Sequence, residues 1–317
     1  MRVTDGRVSD VTPLVSVVIP TYNRAADLKR ALASVLRQTW QHWEVLVVDN
    51  HSTDNVAAVI DHCQDPRIRM LSVRNHGVIA VSRNLGVANA RGEFVAFLDS
   101  DDWWAPRKLE RSLQELGAGA DIVYHDLYLA RSNRNGWRLR RVVTRPLWSP
   151  ALRCLIARGN VLTNSSVVVR RCLLLDIGGL SEDPALVSWE DYECWLRLAA
   201  VTEKFRRLAE PLGWYWAGGG NTSSPQRTIR NLERIREMYF GGAGRQDDQR
   251  LPGWYHYGMG RARFHLREYP QAWLHMKRAI RGDLYPNVRA KALLTLGESM
   301  MYRTIWPQNH DDTSASG

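Results

Sequence analysis

Gly92-Glu93-Phe94-Val95-Ala96-Phe97-Leu98-Asp99-Ser100-Asp101-Asp102-Trp103-Trp104-Ala105-Pro106-Arg107-Lys108-Leu109 is the stretch that decides the fold. Glu93 to Leu98 is a mostly apolar run of strand length, bounded by Gly92 and closed by three carboxylates, the pattern of a strand buried on both faces. Pro106 then opens an amphipathic helix carrying Leu109, Leu113 and Leu116. The acids would sit at the carboxyl edge of a sheet, where open α/β folds bind ligands. Three clustered carboxylates repel one another, and a hard divalent cation bridging them to phosphates would relieve the repulsion. The plainer alternative is a solvated acidic turn that caps the next helix.

Working outward, Val15–Ile19 and Val45–Val48 are further apolar runs. They end in Pro20-Thr21-Tyr22 and Asp49-Asn50. A helix with Leu28, Leu32, Val35 and Leu36 on one face lies between them, and Thr53 or Asp54 is a plausible cap for the next, with Val56 and Ile60 inward. Ile68–Val73 makes another strand, Asn75-His76-Gly77 a turn, and 78–90 a helix with Val81, Leu85 and Ala88 inward. This strand–helix alternation implies an α/β fold, a mostly parallel sheet with helices on both faces. Parallel strands bring the three polar strand ends to one edge, a convergence that unrelated surface turns would not share.

Further on, Asp121–Tyr124 and Ser165–Val169 read as strands, and 126–160 as irregular and Arg-rich. Ser188-Trp189-Glu190-Asp191 starts a helix, with Ser188 as cap and Trp195, Leu198 and Ala199 inward. Phe205–Trp216 is extended. From about residue 226 the pattern turns helical, and Gly260, Ala272 and Ala279 match the small-residue spacing of one tetratricopeptide hairpin. The expected organisation is a loose 1–13, a domain over 14–225, helices over 226–305 that pack on that domain or a partner, dimer contact included, and a loose tail from 306.

The chain has 317 residues, 44% hydrophobic and 24% charged, as a soluble globular protein does. No run approaches the roughly 18 apolar residues of a membrane span, and the start lacks a secretory core. Four scattered cysteines fit reduced thiols in the cytoplasm. A net charge of +10 favours anionic partners. Much of it lies in Arg131, Arg134, Arg138, Arg140, Arg141 and Arg145 around Trp137, either a solvated basic loop or a patch for an anionic membrane or the acceptor.

Four motifs stand in order: Val-Ser-Val-Val-Ile-Pro-Thr-Tyr-Asn-Arg (15–24), Glu-Val-Leu-Val-Val-Asp-Asn-His-Ser-Thr-Asp (44–54), Ser-Arg-Asn-Leu-Gly (82–86) leading into Phe-Leu-Asp-Ser-Asp-Asp (97–102), and Trp-Glu-Asp-Tyr (189–192). Over about 14–223 the chain resembles the family-two inverting glycosyltransferases, nucleotide-sugar-dependent enzymes of the GT-A type. The resemblance implies that Pro20, Thr21 and Tyr22 line the nucleoside pocket, that Asp49 and Asn50 contact the base, and that Arg83 meets the diphosphate, unless it is only a helix-surface arginine. It implies Mn²⁺ or Mg²⁺ on Asp101 and Asp102, with Asp99 nearer the ribose or sugar. Asp191 becomes the general base, with Glu190 orienting it or the acceptor, unless both acids merely complement the helix dipole.

The implied reaction moves a sugar, from a UDP-sugar by default, to a hydroxyl of a glycan or lipid-linked acceptor in cell-surface polysaccharide synthesis. The implied location is cytoplasmic, peripheral on the inner face of the membrane. Departures are Asn50 where relatives carry Asp, and Trp216 and Gly218 where they carry Arg and His; Asn221 and Ser223 fit. Gly218-Gly219-Gly220 is either a mobile flap or a plain loop. Trp103 or Trp189 is expected near the acceptor. Two other readings stand beside this one: a nucleotidyltransferase, which lacks the expected Gly-rich basic loop here, and a non-catalytic scaffold or RNA-binding protein, although nucleic acid is the less favoured partner.

Overall fold

A computed structural model describes residues 14–133, 136–218, 224–241 and 251–305. The expectations for 1–13, for Gly219 to Ser223 and for the tail from 306 fall outside these residues, as do the side chains of 132–139. The chain divides into two compact units.

The first unit comprises Met1–Pro146, Leu162–Leu180 and Arg197–Gly219. It opens with β1 (Val15–Thr21), α1 (Ala25–Leu36), β2 (Trp43–Asp49), α2 (Val56–Cys63), β3 (Ile68–Ser72), α3 (Ile79–Asn89) and β4 (Phe94–Phe97). β3-β2-β1-β4 lie side by side and parallel, with Thr21 opposite Asp49. All seven residues of β1 and of β2 are buried, as the apolar runs require. Side chains alternate across a strand. Val15, Val17 and Ile19 join a core with Leu28, Leu32 and Val35 of α1 and with Leu109 and Leu116. Val18 points the other way, where a Cβ on Gly86 of α3 would come within 2.5 Å of it. Helices therefore cover both faces.

Beyond β4 the sheet becomes mixed. β5 (Trp103–Trp104), α4 (Lys108–Gly117), β6 (Ile122–Asn133), β7 (Gly136–Val142), β8 (Val168–Arg170), α6 (Arg171–Asp176) and β9 (Phe205–Trp216) complete the unit, α5 (Ala151–Arg158) belonging to the second. β8 runs antiparallel between β4 and β6, and β9 is parallel to β6. The stretch 126–160 is thus largely regular: β6 and β7 form a hairpin and α5 follows. Its run of arginines hid the pattern, because one of them, Arg141, is spent on an acid 15 residues away. The buried Asp126 accepts from Arg141 at 2.7 Å and from Arg207 at 3.0 Å.

Two local expectations change. The buried face of α3 carries Ala80, Ser82, Arg83, Gly86 and Val87, while Ala88 is exposed. The phase was misread because two polar residues point inward. Asp54 does not cap α2; its Oδ2 accepts from the backbone N–H of Ala25 at 2.7 Å, at the start of α1.

The second unit comprises Leu147–Val161, Ser181–Leu196 and Gly220–Gly317. It holds α5, the first part of α7 (Glu190–Val201), α8 (Pro225–Tyr239), α9 (Gly253–His265), α10 (Tyr269–Arg281) and α11 (Pro286–Ile305). Leu232, Leu251, Tyr255 and Met259 form one apolar cluster with Trp189 and Trp254 against it. α9 and α10 meet through small residues, as their spacing suggests. A Cβ on Gly260 would lie 3.0 Å from Met276, and Ala272 and Ala279 are buried. No helix among the described residues is long and apolar enough to cross a membrane.

Candidate active site

The carboxyl ends of β1, β2 and β4 form one edge. Pro20 has no N–H to give, and β4 has stopped pairing with β1 at Val18. The strand order reverses beside Pro20, the usual ligand position in such sheets. Thr21 is buried, its Oγ1 without a hydrogen-bond partner, and Tyr22 stands 56% exposed. Asp49 is held by the backbone N–H of Ser52 at 3.1 Å and by its hydroxyl at 2.5 Å. Asn50 Oδ1 accepts the backbone N–H of Asn75 at 2.9 Å. A backbone N–H can only donate, so the amide orientation is fixed and Asn50 presents its NH₂ group to any further partner.

Asp99 follows β4. Its carboxylate accepts from Arg83 at 2.6 Å and from Asn164 at 3.0 Å, and its N–H donates to Ser165 Oγ at 3.1 Å. Arg83 is not a helix-surface arginine. Its side chain is buried, and it crosses from α3 to neutralise Asp99.

Asp101 and Asp102 come next. Burial, and then the Asp99 charge, push the Asp101 carboxyl up to about 6. Asp102 is buried almost completely, and burial, then Asp99 and Asp101, raise it well above the usual carboxylate range. Its Oδ1 accepts the N–H of Trp216 at 2.8 Å, while Oδ2 is buried with no hydrogen-bond partner. Two acids held unfavourably, with one oxygen orphaned, suit a divalent cation. No group of three or more His, Cys, Asp or Glu side chains among the described residues is disposed to hold a metal. The protein's share would thus be these two acids, phosphate oxygens and water supplying the rest, the way Mg²⁺ binds at phosphate-transfer sites.

Glu190 and Asp191 open α7 in the second unit, with Glu193 also in the first turn. Asp191 Oδ2 accepts from Asn160 at 3.3 Å. Glu190 is buried. Ser188 has φ of 76°, a left-handed turn two residues before the helix, where a cap would have extended backbone. Trp189 packs 6.1 Å from Trp254, and Trp103 stacks on Trp214 at 5.7 Å.

Pro20, Thr21, Tyr22, Asp49, Asn50, Arg83, Asp99, Asp101 and Asp102 therefore lie along one sheet edge within the first unit, and Glu190 and Asp191 belong to the second. Asn164, Ser165 and Arg30 were not singled out beforehand. The polar run Thr163-Asn164-Ser165-Ser166 breaking an apolar strand was a signal for the first two; nothing in the sequence marked Arg30.

A family model described as Glycosyl transferase family 2 matches residues 16–177. An uncharacterized glycosyltransferase of Haemophilus influenzae is 30% identical over 235 residues, 71% of this chain and 77% of its own length. The Escherichia coli protein WfgD, a UDP-Glc:alpha-D-GlcNAc-diphosphoundecaprenol beta-1,3-glucosyltransferase, is 40% identical over 100 residues, 32% of this chain and 40% of its own length. The matches with two further relatives, from Rickettsia felis and Bacillus subtilis, span 19% and 41% of their lengths. Among solved structures, S. aureus TarS 1–349 in complex with UDP-GlcNAc has a TM-score of 0.58 at 16% identity, covering 95% of this chain and 93% of its own. The mannosyltransferase PcManGT of Pyrobaculum calidifontis, in complex with GDP-Man and Mn²⁺, has a TM-score of 0.53 at 18% identity, covering 95% and 91%. At such identities these structures establish the fold.

Proposed function

The chain belongs to glycosyl transferase family 2, and from that premise we propose that it transfers a sugar from a nucleotide diphosphate sugar to a hydroxyl group, with inversion. The observation that carries this is the sheet edge, where parallel strands β1 and β2 present Thr21 beside Asp49 and β4 leads directly into Asp99 and its neighbours. Tyr22 stacks on the base, Asp49 and Asn50 contact its edge, and Arg83 with Asp99 fixes the floor toward the ribose and diphosphate. Asp101 and Asp102 hold Mn²⁺ or Mg²⁺. When bound, the ion supplies Lewis-acid stabilisation of the departing nucleoside diphosphate. PcManGT with its Mn²⁺ lends support.

Asp191 takes the proton of the acceptor hydroxyl as its oxygen bonds to the anomeric carbon. The anomeric carbon–phosphate oxygen bond breaks, and its electron pair leaves with the diphosphate. Glu190 orients the base. UDP-sugars are the default donors, and a glycan or lipid-linked acceptor in polysaccharide synthesis is the proposed acceptor, as the printed activity of WfgD suggests. Such an acceptor places the work at the cytoplasmic membrane face. The catalytic portion is 14–225, with 226–305 as packing or partner-binding helices.

Melting the protein with UDP-, GDP- and dTDP-sugars, with and without Mn²⁺, is the direct test, since a specific ligand stabilises by mass action. One nucleotide family should raise the melting temperature; no response to any of them would defeat the proposal. Asp191→Asn should cut transfer by more than about 1,000-fold, the scale of losing positioned general-base catalysis, and leave donor binding intact.

A further inference from the structure

Asp101-Asp102-Trp103 is fastened at every residue. Arg30 of α1 donates through Nη2 to the Asp101 carbonyl at 2.7 Å. Asp102 Oδ1 takes the Trp216 N–H at 2.8 Å. The Arg30 guanidinium lies 4.2 Å from the centroid of the Trp103 ring and 5.3 Å from that of Trp216. Trp103 is itself stacked on Trp214 at 5.7 Å and pairs with it across β5 and β9. The Trp216 indole lies so close to Gly218 that a Cβ there would be 2.0 Å from a ring atom.

Building on the function proposed above, we propose that Arg30 and Trp216 form a clasp that positions the Asp101–Asp102 pair for a divalent cation and its diphosphate, and that Gly218 is bare because the Trp216 indole occupies the space its side chain would need. Both are positioning residues. The Arg30 charge is spent on Asp27, at 3.0 Å, so its action on the acids runs through the Asp101 backbone and the two indole faces. The departures at 216 and 218 are then one change, since an indole at the first position excludes a side chain at the second. The clasp fixes one oxygen of Asp102 and leaves Oδ2 buried without a hydrogen-bond partner. Residues that orient metal ligands without touching the metal typically contribute about 10–100-fold to its affinity.

The test is calorimetry of UDP and GDP binding, each with and without Mn²⁺, on the full chain, with melting temperature as the check on folding. Wild type should bind one of them more tightly with Mn²⁺. Arg30→Met should lose about 10-fold or more of that gain, with binding in the absence of Mn²⁺ unchanged. Arg30→Lys should recover part of the loss, because an ammonium can reach the Asp101 carbonyl but offers no flat face. Gly218→Val leaves Arg30 in place, displaces the indole and should weaken the Mn²⁺ gain as well. In turnover, the Mn²⁺ concentration for half activity should rise while kcat at saturating Mn²⁺ stays near wild type. If Arg30→Met fails to fold, Arg30→Lys and Gly218→Val decide, and wild-type Mn²⁺ dependence in both overturns the clasp. Wild-type protein that binds neither nucleotide, or binds without regard to Mn²⁺, overturns instead the proposed function on which the clasp rests.

Discussion

Glu44 and Asp102 are both buried acids of the same sheet, one at its amino edge and one at its carboxyl edge, and the protein treats them in opposite ways. Glu44 accepts from Ser16 at 2.7 Å, from the Arg91 N–H at 2.7 Å and from Arg69 at 3.0 Å. Burial works to raise its carboxyl, but these donors outweigh it and hold it below the usual range. Asp102 is as buried, accepts the Trp216 N–H and a hydrogen bond from the Ser165 side chain, and has two like charges beside it that with burial outweigh those donors. An acid that folding alone required would be treated like Glu44. The contrast is what the divalent cation proposed at the carboxyl edge would account for, since a bound cation offsets such repulsion.

Asp102→Asn should break the symmetry of that comparison most. The amide keeps an oxygen for the Trp216 N–H and turns NH₂ toward the neighbouring carboxylates. Mn²⁺-dependent nucleotide affinity should fall at least about 100-fold, beyond the loss expected for residues that only orient ligands. The melting temperature should rise, because a buried repelling charge is gone. A variant that melts lower than wild type would mean that Asp102 is a structural acid like Glu44.

Glu44→Gln is the mirror experiment. Its NH₂ would face the Arg69 and Arg91 donors, leaving them unmatched. Both arginines are partly exposed, which limits the damage to about 2 kcal/mol. Urea unfolding should show that loss, with Mn²⁺-dependent nucleotide affinity unchanged. A weakened affinity would show that the two edges are coupled.

The same contrast explains what could be read from the residues alone. β1, β2 and β4 were legible because mostly apolar runs stop at polar side chains, and the stops are where the proposed site lies. α3 was misphased because Arg83 is buried by an acid 16 positions on, information no local period contains. The β6–β7 hairpin was obscured for a like reason: Arg141 read as part of a solvated basic loop until the buried Asp126 is seen beside it. Arg30 looked like any helix-surface cation; only β5 and the end of β9, distant in the chain, give it a role. Partners remote in sequence are the common cause of each miss.

A third buried titrating group sharpens the comparison through pH. His125 is fully buried, with Nδ1 2.7 Å from the Asp126 carbonyl, and burial and then Lys108 lower it to about 3. An ordinary histidine titrates near pH 6.5. The folded state therefore keeps His125 neutral where the unfolded chain takes up a proton. Its stabilising contribution is complete above about pH 6.5 and falls by up to about 1.4 kcal/mol per pH unit below it, until about pH 3. Glu44 and Asp126, held low by their donors, lose theirs only further down, as pH falls from the ordinary carboxylate range. In His125→Leu the unfolding free energy should thus fall less steeply between pH 6.5 and 5, Asp101, held up to about 6, acting with the opposite sign over the same range. An unchanged slope would assign the acid sensitivity elsewhere.

The smallest expected effect lies at the other acid–amide pair of the carboxyl edge, Asp49 and Asn50. Asn50 has its oxygen committed to the Asn75 N–H, so toward a base it is a donor, where a carboxylate could only accept. One ordinary hydrogen bond nets about 1 kcal/mol, so Asn50→Ala should weaken nucleotide binding by about 5-fold. Asn50→Asp can still accept from Asn75, but sets a negative charge against whatever acceptor the amide meets, and should weaken binding further than alanine does. Calorimetry with UDP and GDP orders the three proteins. If Asn50→Asp binds more tightly than Asn50→Ala, the base offers a donor at this point, and the acceptor-only chemistry of a paired carboxylate, as at Asp49, extends to both positions.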